Sequence, residues 1–179
     1  MDITFITSHP QKAKELSWHL DATVTHYKLD LPEIQSLDPH EVVSAKANAA
    51  YDQLKSPVLV EDFSLRFITL GKLPGPLIKW FLSELRPEGL CNLLNNYKNR
   101  DAIAQTCFAL CDEHGVKIFD GSIEGTITET PRGENKFGTD GIFMPSGWDK
   151  TWGEMNKEEQ LVSSVRRIAL KKLQRYMQK

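Results

Sequence analysis

The chain has 179 residues, 40% hydrophobic and 26% charged, which suits one soluble globular domain (1–179) and leaves no apolar run long enough to span a membrane. Its 22 basic and 24 acidic residues give a net charge of −2, so it lacks the basic footprint of a general nucleic-acid binder, although a few local lysines would serve one phosphate chain. Cys91, Cys107 and Cys111 are odd in number and lack zinc-type spacing. They read as buried free thiols, and with no signal-peptide pattern at Met1-Asp2-Ile3-Thr4-Phe5 the expected compartment is a reducing cytoplasm.

Ile3-Thr4-Phe5-Ile6 reads as a first strand, broken at Thr7-Ser8-His9-Pro10. Lys12 to Leu20 follows helical spacing through Ala13, Leu16 and Leu20. Asp38-Pro39-His40-Glu41 opens a second helix, with Asp38 as cap, Pro39 in the first turn and Glu41 at capping-box spacing. That helix runs to about Leu54 and leads into the apolar strand Val58-Leu59-Val60. The first sixty residues thus read β-loop-α-(β)-α-β.

Gly71-Lys72-Leu73-Pro74-Gly75-Pro76 is a turn-rich loop, followed by a short helix through Lys79-Trp80-Phe81. Pro87-Glu88-Gly89-Leu90 starts another helix, with Leu90, Leu93, Leu94 and Tyr97 at core spacing. Ala102 to Cys111 and Val116 to Thr128 look like two strands joined at Glu113-His114-Gly115. Pro131 to Asn135 is a loop. From about Asn156 the pattern predicts one amphipathic helix with Leu161, Val165, Ile168 and Leu173 on one face, and Lys171, Lys172 and Arg175 suit its end. The class is α/β with a mixed sheet.

Chemistry concentrates in few places. Glu61 and Asp62 follow the apolar strand and are expected where the chain leaves the sheet, a common position for ligands. Paired acids there suit a hard cation and an activated water, and equally suit a solvated strand cap. Thr7 to Lys12 joins a strand to a helix start, where free N–H groups, two hydroxyls and a lysine favour anions. It is neither a Walker A loop nor a glycine fingerprint, and a plain structural turn has the same form. Lys46 and Lys79 are further phosphate candidates, or simply solvated helix lysines. Glu33, after Leu31-Pro32, has no role assigned by its residue type alone.

Taken in order, these segments resemble the inosine triphosphate pyrophosphatase family. Thr7-Ser8-His9-Pro10-Gln11-Lys12 looks like its T-G-N-x-x-K, Asp30-Leu31-Pro32-Glu33 matches D-L-P-E, and Val60-Glu61-Asp62-Phe63-Ser64-Leu65 matches V-E-D-[TS]-x-L. Leu73-Pro74-Gly75-Pro76-Leu77-Ile78-Lys79-Trp80-Phe81 is similar to L-P-G-P-Y-I-K-W-F. Phe137-Gly138-Thr139-Asp140 resembles F-G-[WY]-D, and Ser164-Val165-Arg166 stands where S-H-R belongs. The resemblance spans nearly the whole chain.

The resemblance implies an elongated mixed β-sheet flanked by helices, in two lobes with a nucleotide cleft between them, usually as a homodimer. It implies Mg²⁺-dependent hydrolysis of non-standard purine nucleoside triphosphates (ITP, dITP, XTP) to monophosphate and pyrophosphate. By position, Glu33, Glu61 and Asp62 would serve the metal, and Asp62, Lys12 and Glu61 would form the catalytic set, Asp62 as base. Thr7, Ser8, His9, Lys12 and Lys46 would hold phosphates, and Lys79 would close on them. Phe137 would stack on the base, with Gly138, Thr139, Asp140, Ser164 and Arg166 around it. No nucleic acid and no membrane are expected as partners.

The chain departs from this pattern mainly on the base side. His9 replaces an asparagine, Thr139 an aromatic, Gly141 a proline, Gln160 a lysine and Val165 the histidine of S-H-R. Valine donates no hydrogen bond, so base choice is expected to relax or shift more than hydrolysis is lost. Val165 also simply extends the apolar stripe of its helix. The alternatives are a pyrophosphatase for a different modified nucleotide and a non-catalytic nucleotide-binding protein, the latter at odds with the retained Glu33, Glu61 and Asp62.

Overall fold

The computed structural model describes residues 3–20, 23–134 and 137–178, with the side chains of Ile3, Gln11 and Glu15 left aside. Asn135, expected in a loop, and the Met1-Asp2 end lie outside the described residues. The elements are β1 (Ile3–Ile6), α1 (Pro10–Leu20), β2 (Val24–Tyr27), α2 (Pro39–Leu54), β3 (Val58–Phe67), β4 (Pro74–Gly75), α3 (Ile78–Asn92), β5 (Asp101–Asp112), β6 (Gly115–Ile127), β7 (Phe143–Pro145), α4 (Lys157–Val162) and α5 (Val165–Met177). Seven strands form one mixed sheet in the order β2-β1-β3-β5-β6-β7, with β4 paired to β3. β1 lies parallel to β2 and β3, whereas β4 and β7 pair antiparallel to β3 and β6.

Two compact units divide the chain. The first holds residues 1–62, 106–121 and 166–179, and the second holds 63–105 and 122–165. In the first, strand alternation sends side chains to two helical layers. Leu59, Phe108 and Leu110 pack with Ala13, Leu16 and Leu20 of α1 and with Ala169, Leu170 and Leu173 of α5. Val58, Val60, Cys107 and Ala109 pack instead with Val43, Ala47 and Ala50 of α2. Full burial of each large aliphatic side chain contributes about 1.5–3 kcal/mol. Leu29 and Leu31 lean on the α2 layer and so anchor the loop that carries Glu33.

The second unit has its own core. Leu65 and Phe67 meet Ile78, Leu90 and Leu94 of the α3 region, with Ile127, Phe143, Trp152, Met155 and Val165. The Phe143 and Trp152 ring centroids are 4.5 Å apart. Arg100 closes this core by donating to the carbonyls of Ile127 (2.8 Å), Cys91 (2.9 Å) and Thr128 (2.7 Å). The two helical pieces expected around Lys79 and Pro87 are both present, and α3 is broken between them at Arg86, whose φ of 58° is not helical.

Several expectations need correction. β3 does not end at Val60: it continues to Phe67, so Glu61 and Asp62 sit within a strand. Ser64, Leu65 and Phe67 after them are buried, and side-chain partners offset the two charges. The carboxy-terminal helix is two helices, because Asn156 caps α4 and buried Ser163, bonded to Trp152 Nε1 (3.0 Å) and the Glu159 carbonyl (3.0 Å), ends it. Leu161 is consequently exposed while Val165 is core. Asp38 caps α2 through the His40 amide at 2.8 Å, but Glu41 accepts from the Ser36 hydroxyl (2.6 Å) rather than closing a capping box. Tyr97 is exposed, past the end of α3. The three cysteines are buried and free, and burial pushes the Cys107 thiol up to about 12.

Candidate active site

The alternation of β3 continues through its acids. Glu61 shares the face of Leu59, towards α1 and α5, and Asp62 shares the face of Val60, towards α2. Glu61 therefore meets Lys12 of α1 (Nζ to Oε2, 3.4 Å) and Arg166 of α5 (Nε to Oε1, 2.7 Å). Asp62 meets Lys46 of α2, whose Nζ lies 3.1 Å from Oδ1 and 3.9 Å from Glu33 Oε1. Lys46 reaches there because it flanks the buried stripe Val43-Ala47-Ala50. Two trios result, one on each face of a single strand.

The loop before α1 is tightly turned. Thr7 N donates to the Tyr27 carbonyl (3.1 Å), Thr7 Oγ1 accepts from His9 N (3.1 Å), and Lys12 N donates to the His9 carbonyl (3.0 Å). Ser8 and His9 are exposed beside this helix start, where amide groups favour an anion. Lys12 projects from the first turn with Leu16 buried one turn on.

Asp62 is the most unusual group. Its Oδ2 is buried and accepts no hydrogen bond. Burial raises its pKa above the ordinary 3.8, the Lys46 ammonium opposes this, and the Glu33 and Glu61 charges add to it. A bare carboxylate oxygen with a second carboxylate across one ammonium is a donor set that fits a hard divalent cation. Among the described residues no three His, Cys, Asp or Glu side chains already form a metal-holding group. Glu33, Glu61 and Asp62 converge in charge, while their side chains divide between the two faces.

The second unit carries the remaining expected residues. Lys79 opens α3, with Nζ 5.3 Å from the Trp80 ring centroid. Phe137 is 77% exposed. Its turn is held by Asp140 N donating to the Phe137 carbonyl (3.1 Å), with φ of 59° at Gly138. The Asp140 carbonyl accepts from Gly153 N at 2.7 Å, and the carbonyl of buried Thr139 accepts from Ile142 N at 3.1 Å. Gly133 (φ 91°) is indispensable to this loop, because a Cβ there would lie 2.2 Å from the Gly153 carbonyl. Ser164 stands between α4 and α5. The two departures after α4 begins are structural here: Val165 is buried in the core, and Gln160 Nε2 donates to the Trp152 carbonyl at 2.7 Å.

One residue escaped the sequence reading. The Phe108 ring centroid lies 5.6 Å from Arg166 Cζ and backs that guanidinium. Nothing in an apolar strand marks such a phenylalanine out from its neighbours.

Comparison with known proteins places this geometry in context. The sequence pattern of the Ham1 family matches residues 3–176. Inosine triphosphate pyrophosphatase 2 of Trypanosoma cruzi (strain CL Brener) is 44% identical over 94% of this chain and 88% of its own length. Inosine triphosphate pyrophosphatase of Yarrowia lipolytica (strain CLIB 122 / E 150) is 42% identical over 99% of this chain and 96% of its own. The solved Ham1 protein of Staphylococcus aureus matches with a TM-score of 0.90 at 26% identity, covering 99% of this chain and 98% of that one.

Proposed function

Taking as premise that this chain belongs to the Ham1 family, we propose that it hydrolyses the triphosphates of deaminated purine nucleosides (ITP, dITP, XTP) to the monophosphate and pyrophosphate with Mg²⁺. It is a hydrolase of nucleoside triphosphates. The observation that carries the finer reading is the buried, unpartnered Asp62 Oδ2, with Glu33 across the Lys46 ammonium and Lys12 on the other face of the strand.

Glu33 and Asp62 are the acids best placed to hold the ion, with Glu61 supporting them from the opposite face. The chemistry supplied by bound Mg²⁺ is neutralisation and polarisation of phosphate oxygens. Thr7, Ser8, His9 and the first amides of α1 orient the phosphates, and Lys12, Lys46 and Lys79 absorb the charge that develops on the leaving pyrophosphate. Asp62, whose burial strengthens its hold on a proton, takes one from the attacking water. Phe137 offers an exposed ring for stacking on the base, with Gly138, Thr139, Asp140 and Ser164 as further base-side contacts.

A second reading, a pyrophosphatase for another modified nucleotide, is favoured by Val165 lying in the core and Gln160 being committed to Trp152. Pyrophosphate release from a panel of purine and pyrimidine triphosphates separates the two, with Asp62→Asn as control. No turnover of any triphosphate with Mg²⁺, or full turnover in the control, rules out both. The same reading expects a homodimer in the cytoplasm. No helix among the described residues is long and apolar enough to cross a membrane.

A further inference from the structure

Arg166 is expected at the base, yet contacts to Glu61, Lys12 and Phe108 fasten it within the first unit. Its Nε donates to Glu61 Oε1 at 2.7 Å, its Nη2 to the Lys12 carbonyl at 3.4 Å, and its Cζ lies 5.6 Å from the Phe108 ring centroid. The Glu61 side chain is only 8% exposed, so its charge must be met from within the protein. The planar guanidinium makes the shorter contact and the Lys12 ammonium the longer, at 3.4 Å. Without Arg166, Lys12 alone would have to neutralise Glu61 and would be drawn in as its counter-ion. With Arg166 in the shorter contact, Lys12 shares Glu61 instead of answering it alone. Lys12, at 46% exposure against 18% for Arg166, is the member a ligand can reach.

The geometry points to Arg166 as a positioning residue of the phosphate grip: it neutralises Glu61 and so leaves the Lys12 charge available to a polyphosphate. Glu61 in turn fixes where the two cations stand. This role rests on the triphosphate reading above and goes beyond it, because it ties the last helix to phosphate affinity independently of any base. It also separates the work of Glu61 from that of Asp62, adjacent in sequence but opposed across the strand.

Inorganic tripolyphosphate carries the charge of the substrate and no base, which makes it the discriminating probe. Its affinity is measured by calorimetry with and without Mg²⁺ on wild-type protein, Arg166→Gln, Glu61→Gln and the double variant. Arg166→Gln is expected to weaken binding about tenfold, the scale of one charged hydrogen bond. The double variant, in which the unpaired anion is gone, is expected to return to within about twofold of wild type, the signature of coupled residues. Glu61→Gln, titrated without Mg²⁺ so that its proposed support of the ion does not enter, is expected to bind tripolyphosphate at least as tightly as wild type does under the same condition. An Arg166→Gln affinity equal to wild type overturns the inference, as does a double variant no better than Arg166→Gln. Weaker metal-free binding of tripolyphosphate by Glu61→Gln also overturns it, and that variant decides the matter if Arg166→Gln does not fold. Failure of the enzymatic reading is scored separately, by wild-type protein releasing no pyrophosphate from any triphosphate.

Discussion

Functional residues of the first unit stand on strands and helices and hold one another. Glu61 is gripped by two cations, and Lys46 bridges two acids. Those of the second unit stand on turns and helix starts, with Phe137 77% exposed and Lys79 beside an exposed Trp80. The difference matches the tasks proposed for them. Charge stabilisation and proton transfer need groups fixed before the substrate arrives, whereas stacking against a base tolerates a loop that adjusts. The departures from the family pattern are correspondingly concentrated in the second unit, where Thr139, Gly141, Gln160 and Val165 lie.

The sharpest break in that comparison is at Asp62. Asp62→Asn keeps the shape and removes the proposed base and one proposed metal oxygen, so pyrophosphate release is expected to fall about 10³-fold in a steady-state assay. A loss no larger than that from a second-unit variant would erase the distinction. Val165→Ala should act on stability first: a core valine truncated beside Trp152 and Met155 costs about 2 kcal/mol, read from the denaturant midpoint. If Val165 served only the base, activity would change with the midpoint unmoved. Phe137→Ala reverses the pattern. Loss of one stacking partner should raise KM for a purine triphosphate about tenfold, while so exposed a ring leaves stability within about 0.5 kcal/mol of wild type.

The smallest effect is a slope. Burial raises the Asp62 pKa above 3.8, so the folded protein holds that proton more tightly than the unfolded chain does. The stability it contributes is present below the unfolded value and lost as pH rises through the raised one. Unfolding free energies across that range in metal-free buffer should fall with pH, and Asp62→Asn should flatten the slope. An identical slope in the variant would show that the raised pKa belongs elsewhere.

How much of this was written locally in the chain depends on the range of the forces involved. The Asp38 cap, the Glu113-His114 hairpin turn and the break at Pro87 rest on neighbours within a few residues, and each was legible. The extension of β3 through Glu61-Asp62 was not, because a run of acids in a strand is tolerated only when partners arrive from elsewhere: Lys12 lies 49 positions away and Arg166 lies 105. The end of α4 was hidden likewise, since the buried Ser163 is held by Trp152, eleven positions earlier. For the site, motif order identified which residues to watch. It could not show that two adjacent acids face apart.

One feature of β3 reaches further than the residues it carries. Lys12 and Arg166 meet Glu61 on one side of the strand, and Lys46 meets Asp62 and Glu33 on the other. Each acid of the adjacent pair is thus answered by cations from a different helical layer. The ribbon works as a molecular partition through a zwitterionic cluster. Folding escapes the self-repulsion of a concentrated like-charge site, because neighbouring carboxylates on one ribbon are kept apart by its thickness.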